Sequence, residues 1–328
     1  SAHRDRVALD SPVMAAGEST RVVIAAFFAN LGIAIAKFVG FAFTGSSAML
    51  AEAIHSVADT GNQALLLLGG RLAKRRPDDE FQFGYARERY FWSFVVALVL
   101  FSLGSLFALY EGYEKLRHPE ELENIGWAFA ILGLGIVFEG YAFYTAVTTS
   151  IDVKGRRTWW QFIRTSRIPE LTVVLLEDLG ALIGLVLAMS AITLATVTGD
   201  PVWDAIGTIT IGLLLGAIAI LLAVEMKGLL IGEAARPRIY QEIRDAMLQS
   251  PHVQNVIHLR TQHFGPEQLL VGAKLAFDPG LSLGELADAI DDVEQRVREV
   301  APIARPMYIE PDLMRTTATP DPSDDHHD

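Results

Sequence analysis

The sequence predicts an α-helical membrane protein, with six transmembrane helices followed by a cytoplasmic ferredoxin-like α+β domain. Three observations carry that expectation. Apolar stretches long enough to cross a bilayer crowd into residues 22–226, basic residues gather in alternate connections between them, and from residue 227 the pattern changes to short amphipathic elements. Composition alone says less: 51% of the 328 residues are hydrophobic and the mean hydropathy is +0.31, against about 45–50% apolar residues in ordinary soluble domains. The distribution excludes a single soluble enzyme and a disordered or collagen-like chain. The sequence has no cysteine, which removes disulfides, thiolate metal sites and cysteine nucleophiles together, so a transition-metal site must use His, Asp and Glu. A net charge of -12 argues against nucleic acid as a partner, because binding phosphates needs a basic surface.

A helix crossing the hydrocarbon core needs roughly 20 mostly apolar residues. Residues 1–21 precede the first such stretch. The spans are expected at Val22–Thr44, Ser46–Gly70, Tyr90–Leu116, Ile125–Thr149, Pro169–Val197 and Val202–Glu225, the second and fourth being the more polar. Pro169 suits a first helical turn. Gly45-Ser46 and Gly199-Asp200-Pro201 are short enough to be tight turns, which pairs spans one and two, and five and six, as hairpins. The second connection holds Arg71, Lys74, Arg75, Arg76, Arg87 and Arg89, and the fourth holds Lys154, Arg156, Arg157, Arg164 and Arg167, whereas the other side has only Lys115 and Arg117. By the positive-inside rule both termini face the cytoplasm. The first apolar run is too long and too far from the start for a cleavable signal peptide. So compact a chain suits a bacterial inner (plasma) membrane.

Ionisable groups at membrane depth cost about 2.5–3.5 kcal/mol each on insertion scales, so each is a functional candidate. In the second span His55 and Asp59 are four residues apart and share a helical face with Glu52 and Asn62. An imidazole and a carboxylate one turn apart can ligate one ion, and they can also hydrogen-bond to each other along a helix contact. In the fifth span Glu177 and Asp178 stand in an apolar run that makes two carboxylates expensive. They face a metal or pair with a basic residue such as Lys37 of the first span. Adjacent residues project about 100° apart, so one of the two is expected to face a given interior point. Glu139, midway along the fourth span, reads equally as a metal ligand, a proton carrier or a buried structural acid. Lys37 at the outer end of its span can snorkel, and Asp204 suits the start of the sixth helix.

After residue 226 a helix is expected at Pro237–Gln249, strands at Val253–Phe264 and Leu269–Phe277 joined near Gly265-Pro266, a helix at Leu283–Val300, and a last strand at Pro302–Ile309. The order α-β-β-α-β over residues 227–313 suits a two-layer domain. His252, His258 and His263 are scattered rather than motif-spaced and read as structural or solvated. Residues 314–328 are rich in Pro, Asp and His and read as disordered, with His326-His327 a weak metal motif.

Six spans, the intramembrane His55-x-x-x-Asp59 and the α+β tail together resemble the cation diffusion facilitator family over about Val22–Asp312. The most specific stretches are Gly45-Ser46-Ser47-Ala48-Met49-Leu50-Ala51-Glu52-Ala53-Ile54-His55-Ser56-Val57-Ala58-Asp59 and Gly84-Tyr85-Ala86-Arg87-Glu88-Arg89. Leu230-Ile231-Gly232-Glu233 and Ile309-Glu310-Pro311 also match. The resemblance implies a dimer held partly by the tail that exports a divalent metal, most often zinc, in exchange for protons. It implies transport ligands at His55, Asp59 and Asp178. The family's fifth-span His is replaced by Val174, as in the branch typified by the mitochondrial zinc exporter of animals, which leaves Glu177, Glu139, Asn62 or water as the fourth ligand. In the tail, Asp288 stands near one expected His and Tyr308 replaces another, which favours dimerisation over metal sensing.

The expected function is therefore proton-coupled export of a divalent cation, with zinc first and manganese, iron(II) or cobalt as alternatives. A different class of reading is a non-transporting regulatory or structural subunit that keeps the fold without the site. An enzyme is not expected, since no nucleophile–base constellation accompanies the spans. The partners are the cation, protons, the lipid bilayer and a second copy of the chain, with no resident cofactor.

Overall fold

Where the sequence places its second span, helix α1 runs Ser47–Leu72 in the computed structural model. The structure describes residues 47–119 and 125–314, with scattered positions between 23 and 42. The N-terminal segment, Lys37, the Gly45-Ser46 turn and the tail beyond residue 314 lie outside the described residues, as does most of the first predicted span. The chain divides into two compact units, one ending at Ile231 and the other starting at Gly232.

In the first unit the predicted third span is divided. Helix α2 (Glu88–Val95) passes into a π-helical turn at Val96–Phe101 before α3 (Ser102–Arg117) resumes the regular helix. A wider turn changes the backbone bonding but not which residues are apolar, so the hydrophobic pattern does not register it. Helix α4 (Ile125–Lys154) runs past the expected end at Thr149. A short helix not foreseen in the sequence, α5 (Trp159–Thr165), follows; the Thr158 side chain accepts from Gln161 N while Gln161 returns the bond to the Thr158 N–H. Helix α6 (Pro169–Thr198) starts at its proline and ends at Gly199, whose φ of 69° is the left-handed cap that glycine supplies. Helix α7 (Val202–Ile231) continues six residues beyond the expected Glu225. Among the described residues, Ala128–Lys154, Pro169–Thr198 and Val202–Ile231 are long and apolar enough to cross a membrane.

Leu171, Val173, Val174, Leu175 and Leu176 of α6 pack with Ile218, Ala219 and Leu222 of α7 and with Val96 and Ala97 of the π turn. Val137 and Tyr141 on α4 and Leu213 and Ile220 on α7 are exposed, an apolar surface suited to lipid. The basic connections share one end of the unit: Arg89 pairs with Glu170, Arg164 with Glu225 at 2.9 Å, and the Tyr90 hydroxyl donates to Arg167 O at 3.4 Å. Lys115 and Asp204 pair at 2.9 Å between the end of α3 and the start of α7.

Small residues let these helices close. A Cβ added at Gly207 of α7 would stand 2.3 Å from Ala191 Cβ on α6, and one at Gly112 of α3 would stand 2.6 Å from Ile209 on α7. Ala191 has no rotamer with which to yield. Gly207→Leu is therefore expected to lower the unfolding midpoint of the detergent-solubilised protein by roughly 6–12 °C, the shift that about 3 kcal/mol of overpacking gives in a domain of this size. An unchanged midpoint by thermal scanning would overturn the packing argument.

The second unit follows the α-β-β-α-β order: α8 (Pro237–Leu248), β1 (Val253–Gly265), β2 (Gln268–Phe277), α9 (Leu283–Val300) and β3 (Ala304–Asp312). The sheet is mixed, in the order β1-β2-β3, with β1–β2 antiparallel and β2–β3 parallel. Ile243 and Met247 of α8 and Ala289, Val293 and Val297 of α9 cover Leu269, Val271 and Leu275. Strand β3 outruns its expected end at Ile309 because pairing continues to Ala276↔Asp312, where Lys274 bonds Glu310 at 2.9 Å and Asp312 at 3.3 Å. Those bonds raise the Lys274 pKa, Glu310 contributing most. His263 is buried with Nδ1 3.4 Å from Gly265 O, and His252 lies 3.3 Å from Asp278. His258 lines an open concavity with Lys274, Tyr308 and Glu310.

Candidate metal site

Helix α1 carries the predicted polar stripe through the first unit. Its helical backbone puts Glu52, His55, Asp59 and Asn62 on one side by spacing. The side chains of Glu52 and His55 lie outside the described residues. Asp59 is half-buried, while Asn62 and Gln63 are buried.

Helix α6 supplies the other half. Glu177 is 8% exposed and Asp178 6% exposed, so both adjacent carboxylates are buried. Asn62 Nδ2 donates to Glu177 Oε1 at 2.6 Å, and Gln63 Nε2 donates to Glu177 Oε2 at 3.1 Å. Glu177 is therefore held between α1 and α6 by two side-chain amides, with one donor on each oxygen. Among the described residues the Asp178 carboxylate has no hydrogen-bond or ion-pair partner.

The electrostatics are one-sided. The nearby charges that act on Glu177 are those of Asp59, Asp178 and Glu139, and those that act on Asp178 are Glu139 and Asp59. A carboxylate accepts and cannot donate, so the two amides must point their nitrogens at Glu177. Their oxygens, Asn62 Oδ1 and Gln63 Oε1, are buried without a donor among the described residues. The result is a buried group of acceptors and negative charges, a composition that calls for a cation.

The structure thus brings Asp59, Glu139, Glu177 and Asp178 into one electrostatic neighbourhood, with Asn62 against Glu177. Among the described residues no three His, Asp or Glu side chains are arranged to hold a metal ion. Gln63 is the residue sequence reasoning passed over, although an amide next to Asn62 in an apolar span was a signal. Glu170 was passed over too; it follows Pro169 in the first turn of α6 and is buried against Arg89.

The family model described as the cation efflux transmembrane domain matches residues 23–231, and that described as the cation efflux protein, cytoplasmic domain matches residues 235–311. The mitochondrial proton-coupled zinc antiporter SLC30A9 of Mus musculus is 29% identical over 90% of this chain and 52% of its own length. Its Xenopus laevis counterpart is 34% identical over 79% of this chain and 46% of its own. The magnetosome protein MamB of Paramagnetospirillum magneticum is 24% identical over 87% of this chain and 90% of its own. The chain spans about half the length of the zinc antiporters it matches.

Proposed function

The chain belongs to the cation efflux family, a family of membrane metal transporters rather than enzymes, and from that premise we propose that it exports a divalent cation, zinc before manganese, iron(II) or cobalt, in exchange for protons. The names of the mouse and frog relatives support zinc and proton exchange. The observation that carries the reading is the buried acceptor group at the α1–α6 contact, where among the described residues Asp59, Glu139 and Asp178 act on Glu177 and the Asn62 and Gln63 amide oxygens lack donors.

In this reading His55, Asp59 and Asp178 ligate the ion, Glu177 braces the site, and Glu139 adds negative charge beside it. Ligation needs neutral imidazole and ionised carboxylates, so loading releases protons, and protons arriving from the far side compete the ion off. Imidazole is the side chain whose ordinary range lies near neutral pH, which suits a histidine ligand to that exchange. A nitrogen ligand favours zinc and its neighbours over magnesium or calcium. Six spans carry the pathway, both termini face the cytoplasm of a bacterial plasma membrane, and residues 227–313 form the ferredoxin-like domain that pairs two chains. The sharing of one end by the basic connections supports that orientation.

The test is metal flux into proteoliposomes holding the full chain under an imposed pH gradient. Zinc uptake that follows the gradient is expected. Absence of flux with zinc, manganese, iron(II) and cobalt alike would overturn the reading in favour of a non-transporting subunit.

A further inference from the structure

A cleft of about 150 Å³ opens between the C-terminal end of α1 and the N-terminal end of α6. Its walls change character along one direction. Val23 and Leu66, both buried, line it together with the half-buried Gly70, and the exposed Arg71 and Lys74 stand on the next turn of α1 and just beyond it. Glu170 also lines it; Arg89 pairs with its Oε1, while Oε2 is buried without a hydrogen-bond partner among the described residues. Among the described residues the Arg71 and Lys74 side chains have neither a hydrogen-bond partner nor an ion-pair partner. The cleft therefore presents, among the described residues, two cations without direct partners beside an apolar wall.

We propose that this cleft binds the phosphate group of an anionic phospholipid, with the first part of an acyl chain against the half-buried Leu67, which also lines it. The inference rests on the reading that this end of α6 lies at a membrane surface, and it is independent of what the protein transports. Basic pockets between helices at the cytoplasmic face suit anionic head groups. A divalent metal on its way to the carboxylates would be repelled by Arg71 and Lys74. A soluble anion would leave the half-buried Leu67 uncovered. One basic residue near an anionic surface strengthens binding roughly five-fold, so the pair gives roughly 25-fold.

The full-length protein is purified in detergent, and its retention of phosphatidylglycerol and of phosphatidylcholine is measured by native mass spectrometry. Preferential retention of phosphatidylglycerol is expected. The double variant Arg71→Gln/Lys74→Gln should weaken it roughly 25-fold. Gly70→Leu keeps both charges and fills the cleft, since a Cβ at Gly70 meets nothing within 4 Å; it should weaken retention comparably while leaving the helix intact. Arg76→Gln removes an exposed charge outside the cleft and should leave retention unchanged. Wild-type retention in Gly70→Leu, or equal losses in Arg76→Gln and the double variant, would overturn the site in favour of diffuse surface charge. Displacement of the lipid by millimolar inorganic phosphate would overturn it in favour of a soluble-anion site. Metal flux is not read in this experiment, so a failed transport reading and a failed lipid site give separate results.

Discussion

Asp59→Ala is expected to abolish gradient-driven zinc uptake while the protein still elutes as a folded species. Asp59 lies one turn beyond His55 on α1 and acts electrostatically on both Glu177 and Asp178. Removing it takes a carboxylate from the proposed ligand set and leaves too few negative charges to offset the desolvation of a divalent ion. Even residues that only orient metal ligands cost 10–100-fold when lost, so a direct ligand is expected to cost roughly 100-fold or more in flux. The fold is expected to survive, because the change relieves repulsion on Glu177 and leaves its bonds from Asn62 and Gln63 in place. Proteoliposome flux paired with size-exclusion elution checks both halves. Uptake at the wild-type rate would remove Asp59 from the pathway, and loss of the folded peak would recast it as a structural residue.

What could be read in the sequence was whatever leaves a periodic or compositional trace. The start of α6 at Pro169 and its end at Gly199 follow from the fixed φ of proline and the left-handed freedom of glycine. The α-β-β-α-β order of the second unit follows from a switch between two periods of apolar residues. The π turn at Val96–Phe101 left no trace, because it depends on how α2 packs and not on which residues are apolar. Helix α5 was hidden in a connection read for its charges, although Thr158 and Gln161 stand at capping-box spacing. At the site, the acidic residues were legible because each is costly in an apolar run. The pairing of Glu177 with Asn62 and Gln63 joins residues more than a hundred positions apart, and a single sequence does not say which face of α6 meets α1.

That pairing assigns different work to two adjacent carboxylates. Glu177 has an amide donor on each oxygen, so its burial is already compensated and its position fixed. Asp178 is as deeply buried and has no such partner among the described residues, which leaves its oxygens available to a cation. The proposed ligand set takes Asp178 rather than Glu177, as the family resemblance implies. Asp178→Asn is therefore expected to reduce zinc flux roughly 100-fold, by removing a negative ligand. In Glu177→Gln the new amide keeps one acceptor for Asn62, and the Gln63 amide can turn its free oxygen to receive the new N–H. The bracing contact survives, and flux is expected to fall less than roughly ten-fold, below the 10–100-fold that outright loss of a supporting residue costs. Flux and zinc affinity measured side by side separate the roles, since a brace alters the rate with little change in stoichiometry and a lost ligand removes the bound ion. If Glu177→Gln were the more damaging change, Glu177 would be the ligand, and the two amides would orient it for the ion as second partners of a coordinating carboxylate.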